Sequence, residues 1–286
     1  MKPLYVHVGL PRAGSTFFQN RVFKGKKGIR YIGKTQDDYP EWLMKWHYLP
    51  THEFSEEADR IRSTVTRLCS STEPNVLSSE MFTMWGGRAS DQARRLHQLF
   101  PEAKIVIVLR EPISRMVSFY KAIVERDGFF QPLKNMIDWK ELPFVDYKRK
   151  PVQIGDFQYD RLVASYRTLF GEDHVCVVRL EDMKATPHSF WGQLSDFSRI
   201  GFGAREVALS KETTVNASPS HTSVGQLRWE NFRRSLGELQ SDLQSVFDES
   251  RQPGWGNEEI LPTSLRSKLL EALRHRCGAY YHQSAH

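Results

Sequence analysis

Leu4-Tyr5-Val6-His7-Val8 runs into Gly9-Leu10-Pro11-Arg12-Ala13-Gly14 and then into Ser15-Thr16-Phe17-Phe18-Gln19-Asn20. The first five residues are a nearly unbroken apolar run, the pattern of a strand buried on both faces. The next six carry two glycines and a proline, which interrupt any regular element. The last six open a helix. Strand, glycine-containing loop and helix in succession put a helix N-terminus at the carboxyl end of a strand, a ready site for an anion.

Three more apolar strands follow at wide spacing: Val76 to Ser79, Ile105 to Leu109 and Val175 to Val178, with a weaker one at Ile29 to Ile32. Helical patterns fill the gaps. Phe54, Ala58, Ile61, Val65 and Leu68 recur at steps of three and four, with Glu56 and Glu57 in the first turn. Ser90 is expected to cap a helix carrying Ala93, Leu96 and Leu99, and Pro112 to start one carrying Met116, Tyr120 and Val124. Alternating strands and helices predict an α/β fold: a parallel sheet flanked by helices, of the P-loop nucleotide-binding type. Beyond the Val175 strand the pattern is helical, at 187–197, 224–247 and 264–277. The expectation is one domain over 1–286, with a core at about 4–200 and a helical C-terminal part at about 201–286. Residues 125–155, rich in proline, glycine and aromatic side chains (Phe129, Phe130, Trp139, Phe144), read as a functional loop.

The chain has 286 residues, 40% of them hydrophobic and 26% charged, which excludes a disordered polymer. No apolar run reaches the roughly 18–20 residues of a membrane helix, and the N-terminus lacks a signal-peptide core. Three scattered cysteines (Cys69, Cys176, Cys277) form neither an even disulfide set nor a zinc spacing, so a cytoplasmic setting is expected. A net charge of +6 suits an anionic ligand. Nucleic acid is not the expected partner, because no known module and no stacking platform appears.

Gly9 to Thr16 has the spacing G-x-x-x-x-G-x-T, but Ser15 stands where a nucleotide triphosphatase has lysine, and the basic residue is Arg12. Glu80 and Asp182 are weak candidates for holding magnesium. The loop therefore predicts an oxyanion site while weakening an ATP–magnesium reading; a P-loop kinase or ATP-binding protein is the alternative.

Pro11-Arg12-Ala13-Gly14-Ser15-Thr16-Phe17 resembles the 5′-phosphosulfate loop of the sulfotransferase family, commonly P-[KR]-[ST]-G-[ST]-T-[WF], with Ala13 in place of the usual hydroxyl residue. Ile105 to Leu109 followed by Arg110-Glu111-Pro112-Ile113-Ser114-Arg115-Met116-Val117-Ser118 is similar to the family's 3′-phosphate motif, an arginine ending a strand and a serine eight residues later. Tyr159 to Phe170, then Val175 to Asp182, resembles a further helix, strand and Glu-Asp turn, so the likeness runs from about residue 4 to 200.

The resemblance implies an enzyme that binds 3′-phosphoadenosine 5′-phosphosulfate and passes its sulfuryl group to a hydroxyl or amine, leaving adenosine 3′,5′-bisphosphate. It implies donor contacts from Arg12, Ala13, Gly14, Ser15, Thr16, Arg110 and Ser118, base stacking by Phe17, and a flap containing Lys211 and Asn216. No metal is required by it. Arg12 would steady charge on the leaving oxygen. Glu80, at the end of the Val76 strand, occupies the family's base position; His47, His52 and Glu53 stand in reserve, and His7 reads as a core histidine. The acceptor, a small molecule, glycan or lipid, and the oligomeric state are not encoded in these motifs.

Overall fold

The computed structural model describes residues 2–33, 40, 46–83, 89–129, 131–138, 152–212, 224, 226–228, 230–231 and 263–274. Five parallel strands make the main sheet: β1 (Leu4–Gly9), β2 (Arg30–Ile32), β3 (Asn75–Ser79), β4 (Lys104–Leu109) and β7 (Val175–Arg179), in the order β2-β3-β1-β4-β7. Val6 pairs with Leu77 on one side and with Ile105 on the other, so β1 is central. All six residues of β1 are buried, as its apolar run predicts.

Alternation along the strands sorts the core into two layers. Leu4, Val6 and Val8 join Ile105, Ile107 and Leu109 on one face, covered by α2 (Thr51–Leu68), α3 (Ala89–Leu99), α4 (Pro112–Asp127) and α6 (Tyr159–Phe170). Tyr5, Val76, Val106 and Val108 face the other way, against Phe17, Phe18, Val22 and Phe23, and against α7 (Leu180–Ala185) and α8 (Pro187–Ser198). The helix after β1 thus lies on one face while those after β3 and β4 lie on the opposite one. The crevice between these departing connections, at the carboxyl end of β1, is where open α/β sheets take ligands.

The first helix, α1 (Ser15–Phe17), continues directly as a π-helical turn over Phe18–Phe23. Ser90 lies inside α3 rather than at its cap, because the helix begins one residue earlier at Ala89. Pro112 occupies the first turn of α4, as expected. The stretch 125–155 is partly regular: α4 extends to Asp127 and ends at Gly128 with φ 70°, α5 (Leu133–Met136) follows, and β5 (Ile137–Asp138) pairs in parallel with β6 (Val152–Gln153). Phe129 packs on the core, and its carbonyl and that of Val124 accept from Asn231 Nδ2 at 3.0 and 2.7 Å. Phe130, Trp139, Phe144 and Cys277 lie outside the described residues. Helices α9 (Ala204–Lys211) and Thr263–Arg274 fall in the helical C-terminal part; of 224–247 only six residues are described. No helix among the described residues is long and apolar enough to cross a membrane.

Two histidines belong to the core. His7 is 1% exposed, with its Nδ1 hydrogen-bonded to Ser78 Oγ at 2.7 Å, and Gln19 Nε2 donates to the same hydroxyl. His47 is equally enclosed between Trp46 and Phe82 and pairs with Gln92. Burial pushes both imidazoles down to about 3. Unfolded, each takes a proton near pH 6.5, so the unfolded chain binds more protons between pH 3 and 6.5, and stability is lost as pH falls through that window. Urea unfolding at pH 5.5 should show roughly 3 kcal/mol less stability than at pH 7.5, about 1.4 kcal/mol from each histidine. His7→Asn should halve the difference; equal stability at the two pH values contradicts the assignment.

Candidate active site

Four consecutive carbonyls of the loop after β1 are each engaged by a side chain. Thr83 Oγ1 donates to Gly9 O at 2.8 Å, and Ser15 Oγ donates to Leu10 O at 3.0 Å. Arg115 Nε donates to Pro11 O at 2.9 Å, and Arg110 Nη1 donates to Arg12 O at 2.8 Å. The donors come from the turn after β3, from α1, from α4 and from the end of β4, so the loop is tied to every neighbour of β1. Carbonyl oxygens held this way have their partial negative charge taken up by donors instead of left to repel an anion. The N–H groups of Ser15 and Thr16, opening the helix, have no acceptor within it.

Glycine is needed at two positions. A Cβ on Gly9 would lie 2.5 Å from Ser15 Oγ. Gly14 has φ 84°, and a Cβ there would meet Leu180 Cδ1 at 2.9 Å. Ser15, at the position of the missing lysine, spends its hydroxyl on the loop itself.

Arg12 has φ 67°, the left-handed conformation that costs an L-residue about 1–2 kcal/mol. This turns its side chain across the crevice, where Nε donates to Ser118 Oγ at 3.1 Å. Arg110 and Ser118, paired by their spacing, are therefore joined through Arg12: one takes its backbone, the other its guanidinium. Burial lowers the pKa of Arg12, with Arg126 and Arg110 adding repulsion and Glu80 and Glu125 opposing it; the guanidinium stays charged at any working pH. Glu80 opens the turn Glu80–Phe82 after β3, with its Cγ 3.5 Å from where a Gly9 Cβ would stand. Arg12, Arg110, Ser118 and Glu80 thus share one rim.

Other expected contributors sit elsewhere. Ala13 is fully buried against the core. Phe17 is 3% exposed and packs edge-on to Phe18, so it lacks the open ring face that stacking on a base requires. Lys211 is exposed in the last turn of α9, and Asn216 lies outside the described residues. His47 is a core residue, while His52 is exposed and pairs with Glu53 at 3.7 Å. Asp182 is spent on Arg179 through two bonds of 3.0 and 2.7 Å.

Sequence reading missed Thr83, Arg115 and Glu111, while Glu181 belongs to the Glu-Asp turn already singled out. Glu111 caps α4, its carboxylate accepting from the N–H groups of Ile113 and Ser114, and its own N–H donates to Glu181 Oε1 at 2.9 Å. Burial pushes the Glu181 carboxyl up. This cap fixes where α4 starts, and so where Arg115 and Ser118 face. The signal available was an acidic residue directly before Pro112, a helix-start pattern.

Two guanidiniums with hydroxyl and amide donors around a glycine cradle suit an anion with more than one charged group. Among the described residues no three His, Cys, Asp or Glu cluster as metal ligands. A family model described as the sulfotransferase family matches residues 3–202. Mouse and human heparan sulfate glucosamine 3-O-sulfotransferase 6 are each 24% identical over 144 residues, 50% of this chain and 40% of theirs. The chain thus matches less than half the length of these relatives. A sulfotransferase from Alicyclobacillus acidocaldarius superimposes with TM-score 0.48 at 16% identity, covering 89% of this chain and 99% of that one. The mouse sulfotransferase SULT7A1, complexed with PAP, gives 0.42 at 14% identity, covering 96% and 83%.

The cradle geometry is testable without a ligand. Gly14→Ala should cost about 1–2 kcal/mol in urea unfolding, from the left-handed backbone and the Leu180 contact together. Adding Leu180→Ala should relieve the contact but leave the backbone strain. A Gly14→Ala protein as stable as the parent contradicts this geometry.

Proposed function

This chain belongs to the sulfotransferase family, and we propose that it transfers a sulfuryl group from 3′-phosphoadenosine 5′-phosphosulfate to a hydroxyl or amine of an acceptor. The observation that carries the proposal is the joining of Arg12 to both Arg110 and Ser118. Two segments that resemble the two phosphate motifs of the family meet at one arginine, at the crevice where the fold takes ligands.

When bound, the donor supplies a sulfuryl group on a stable phosphate leaving group. The residues of this chain then have separable tasks. The Ser15 and Thr16 N–H groups and the Thr16 hydroxyl hold the 5′-phosphate. Arg110 and Ser118 would hold the 3′-phosphate, which would take the place of Arg12 on the Ser118 hydroxyl. The Arg12 guanidinium would then be available to offset the negative charge that the leaving phosphate gains in the transition state. Fixed guanidinium charge suffices for this, so no metal enters the proposal. Glu80, on the same rim, accepts the acceptor's proton.

A carbohydrate is the acceptor class we favour, since the matching relatives are named for a glucosamine of heparan sulfate. Cys69 and Cys176 are free thiols, which supports a reducing compartment such as the cytoplasm.

Calorimetry in EDTA should show adenosine 3′,5′-bisphosphate binding more tightly than 5′-AMP. Arg110→Ala should weaken the bisphosphate by about 10- to 100-fold, the loss of a charge-assisted hydrogen bond, and weaken 5′-AMP by less, since Arg110 also holds the Arg12 carbonyl. Equal affinity for the two nucleotides in the parent protein overturns the donor site. In single-turnover sulfuryl transfer to an accepted sugar, Glu80→Gln should keep bisphosphate affinity and slow transfer by about two to four orders of magnitude. Near-parental rates would remove Glu80 from the base role.

A further inference from the structure

Arg115 is 6% exposed, and among the described residues its guanidinium donates to neutral oxygens. Besides Pro11 O, its Nη1 donates to Asp156 O at 2.8 Å and to Tyr159 Oη at 3.4 Å. Its guanidinium lies over the Phe157 ring at 4.6 Å. Tyr159 Oη in turn donates to Arg110 O at 3.0 Å. Burying a cation against dipoles is costly, so one that persists at a loop is expected to hold something in place.

What it holds follows from peptide geometry. The peptide group is planar, so the orientation of the Pro11 carbonyl sets the plane that precedes the Arg12 Cα, and the Arg12 carbonyl sets the plane that follows it. Rotation of the first plane is φ of Arg12, and rotation of the second is ψ. Arg115 grips the first carbonyl and Arg110 the second. Together they fix both torsions of a residue in the left-handed region, which a non-glycine residue occupies only at a cost. Tyr159 links the two grips.

We propose that Arg115 is a positioning residue for the 5′-phosphate end of the donor site, acting by holding Arg12 in its left-handed conformation. The inference rests on the donor reading given above. Released from Arg115, the Pro11–Arg12 plane relaxes, Arg12 leaves the mouth of the loop, and the adjoining N–H groups lose their common aim. The 3′-phosphate contacts from Arg110 and Ser118 side chains are not made through that plane.

The test compares two nucleotides by calorimetry: adenosine 3′,5′-bisphosphate, and adenosine 3′-monophosphate, which lacks the 5′-phosphate. In the parent protein the bisphosphate binds more tightly; if it does not, the donor reading falls and this inference with it. Arg115→Met should weaken the bisphosphate by about tenfold or more, and Arg115→Lys, which keeps the charge but not the fork, by less. Both should bind the 3′-monophosphate within about twofold of the parent. Tyr159→Phe keeps the buried ring and should show the same selective loss at smaller size, which serves if the Arg115 variants do not fold. Unchanged bisphosphate affinity in the variants overturns the proposal while sparing the donor site. An equal loss for both nucleotides also overturns it, since that marks general loosening of the fold.

Discussion

Every feature of the site depends on the engagement of the carbonyls of Gly9, Leu10, Pro11 and Arg12 by side-chain donors. A loop of this shape has few bonds of its own. It is held by Thr83, Ser15, Arg115 and Arg110, which come from the three strands nearest the centre of the sheet and the helices that follow them. The pairing of β1 with β3 and β4 brings these donors to one rim, with Val8 beside Ser79 and Gly9 beside Val108. The hydrophobic layers fix the register, the register fixes the donors, and the donors fix the loop. Binding chemistry is the last link of that chain.

The arrangement also stores electrostatic cost. Arg12 is half-buried close to Arg110 and Arg126, and its shift records both desolvation and repulsion by these cations. Glu80 and Glu125 offset part of it. On the donor reading proposed above, a polyanion in the crevice would offset that repulsion and replace the Arg12–Ser118 bond with stronger charge-assisted ones. The same reasoning explains why the cap on α4 matters: Glu111 and Glu181 hold the start of that helix, so the hydroxyl of Ser118 waits at a fixed point.

Most of the sheet was legible in the sequence, because β1, β3, β4 and β7 are short apolar runs separated by amphipathic helices. Arg12, Arg110 and Ser118 were singled out for a different reason: they lie in two segments that resemble the phosphate motifs of the sulfotransferase family, and the fold brings the three together. Arg115 was not. Five residues past Arg110 on a helix, it was given no role, and the fold turns it inward onto Pro11. Phe17 was ambiguous, since an aromatic next to the loop suits a stacking ring or a core ring, and in the structure it packs among the core aromatics beside the π-helical turn. Ser90 illustrates a local limit, a good capping residue overruled by a helix that starts one residue earlier.

The most direct measurement is a crystal structure of the protein with adenosine 3′,5′-bisphosphate bound. The account predicts the 5′-phosphate against the Gly14–Thr16 backbone, the 3′-phosphate between Arg110 and Ser118, and the Arg12 side chain moved off Ser118 while its backbone keeps the left-handed conformation. A nucleotide bound away from this crevice, or one whose phosphates leave the Arg12–Ser118 bond intact, would contradict it.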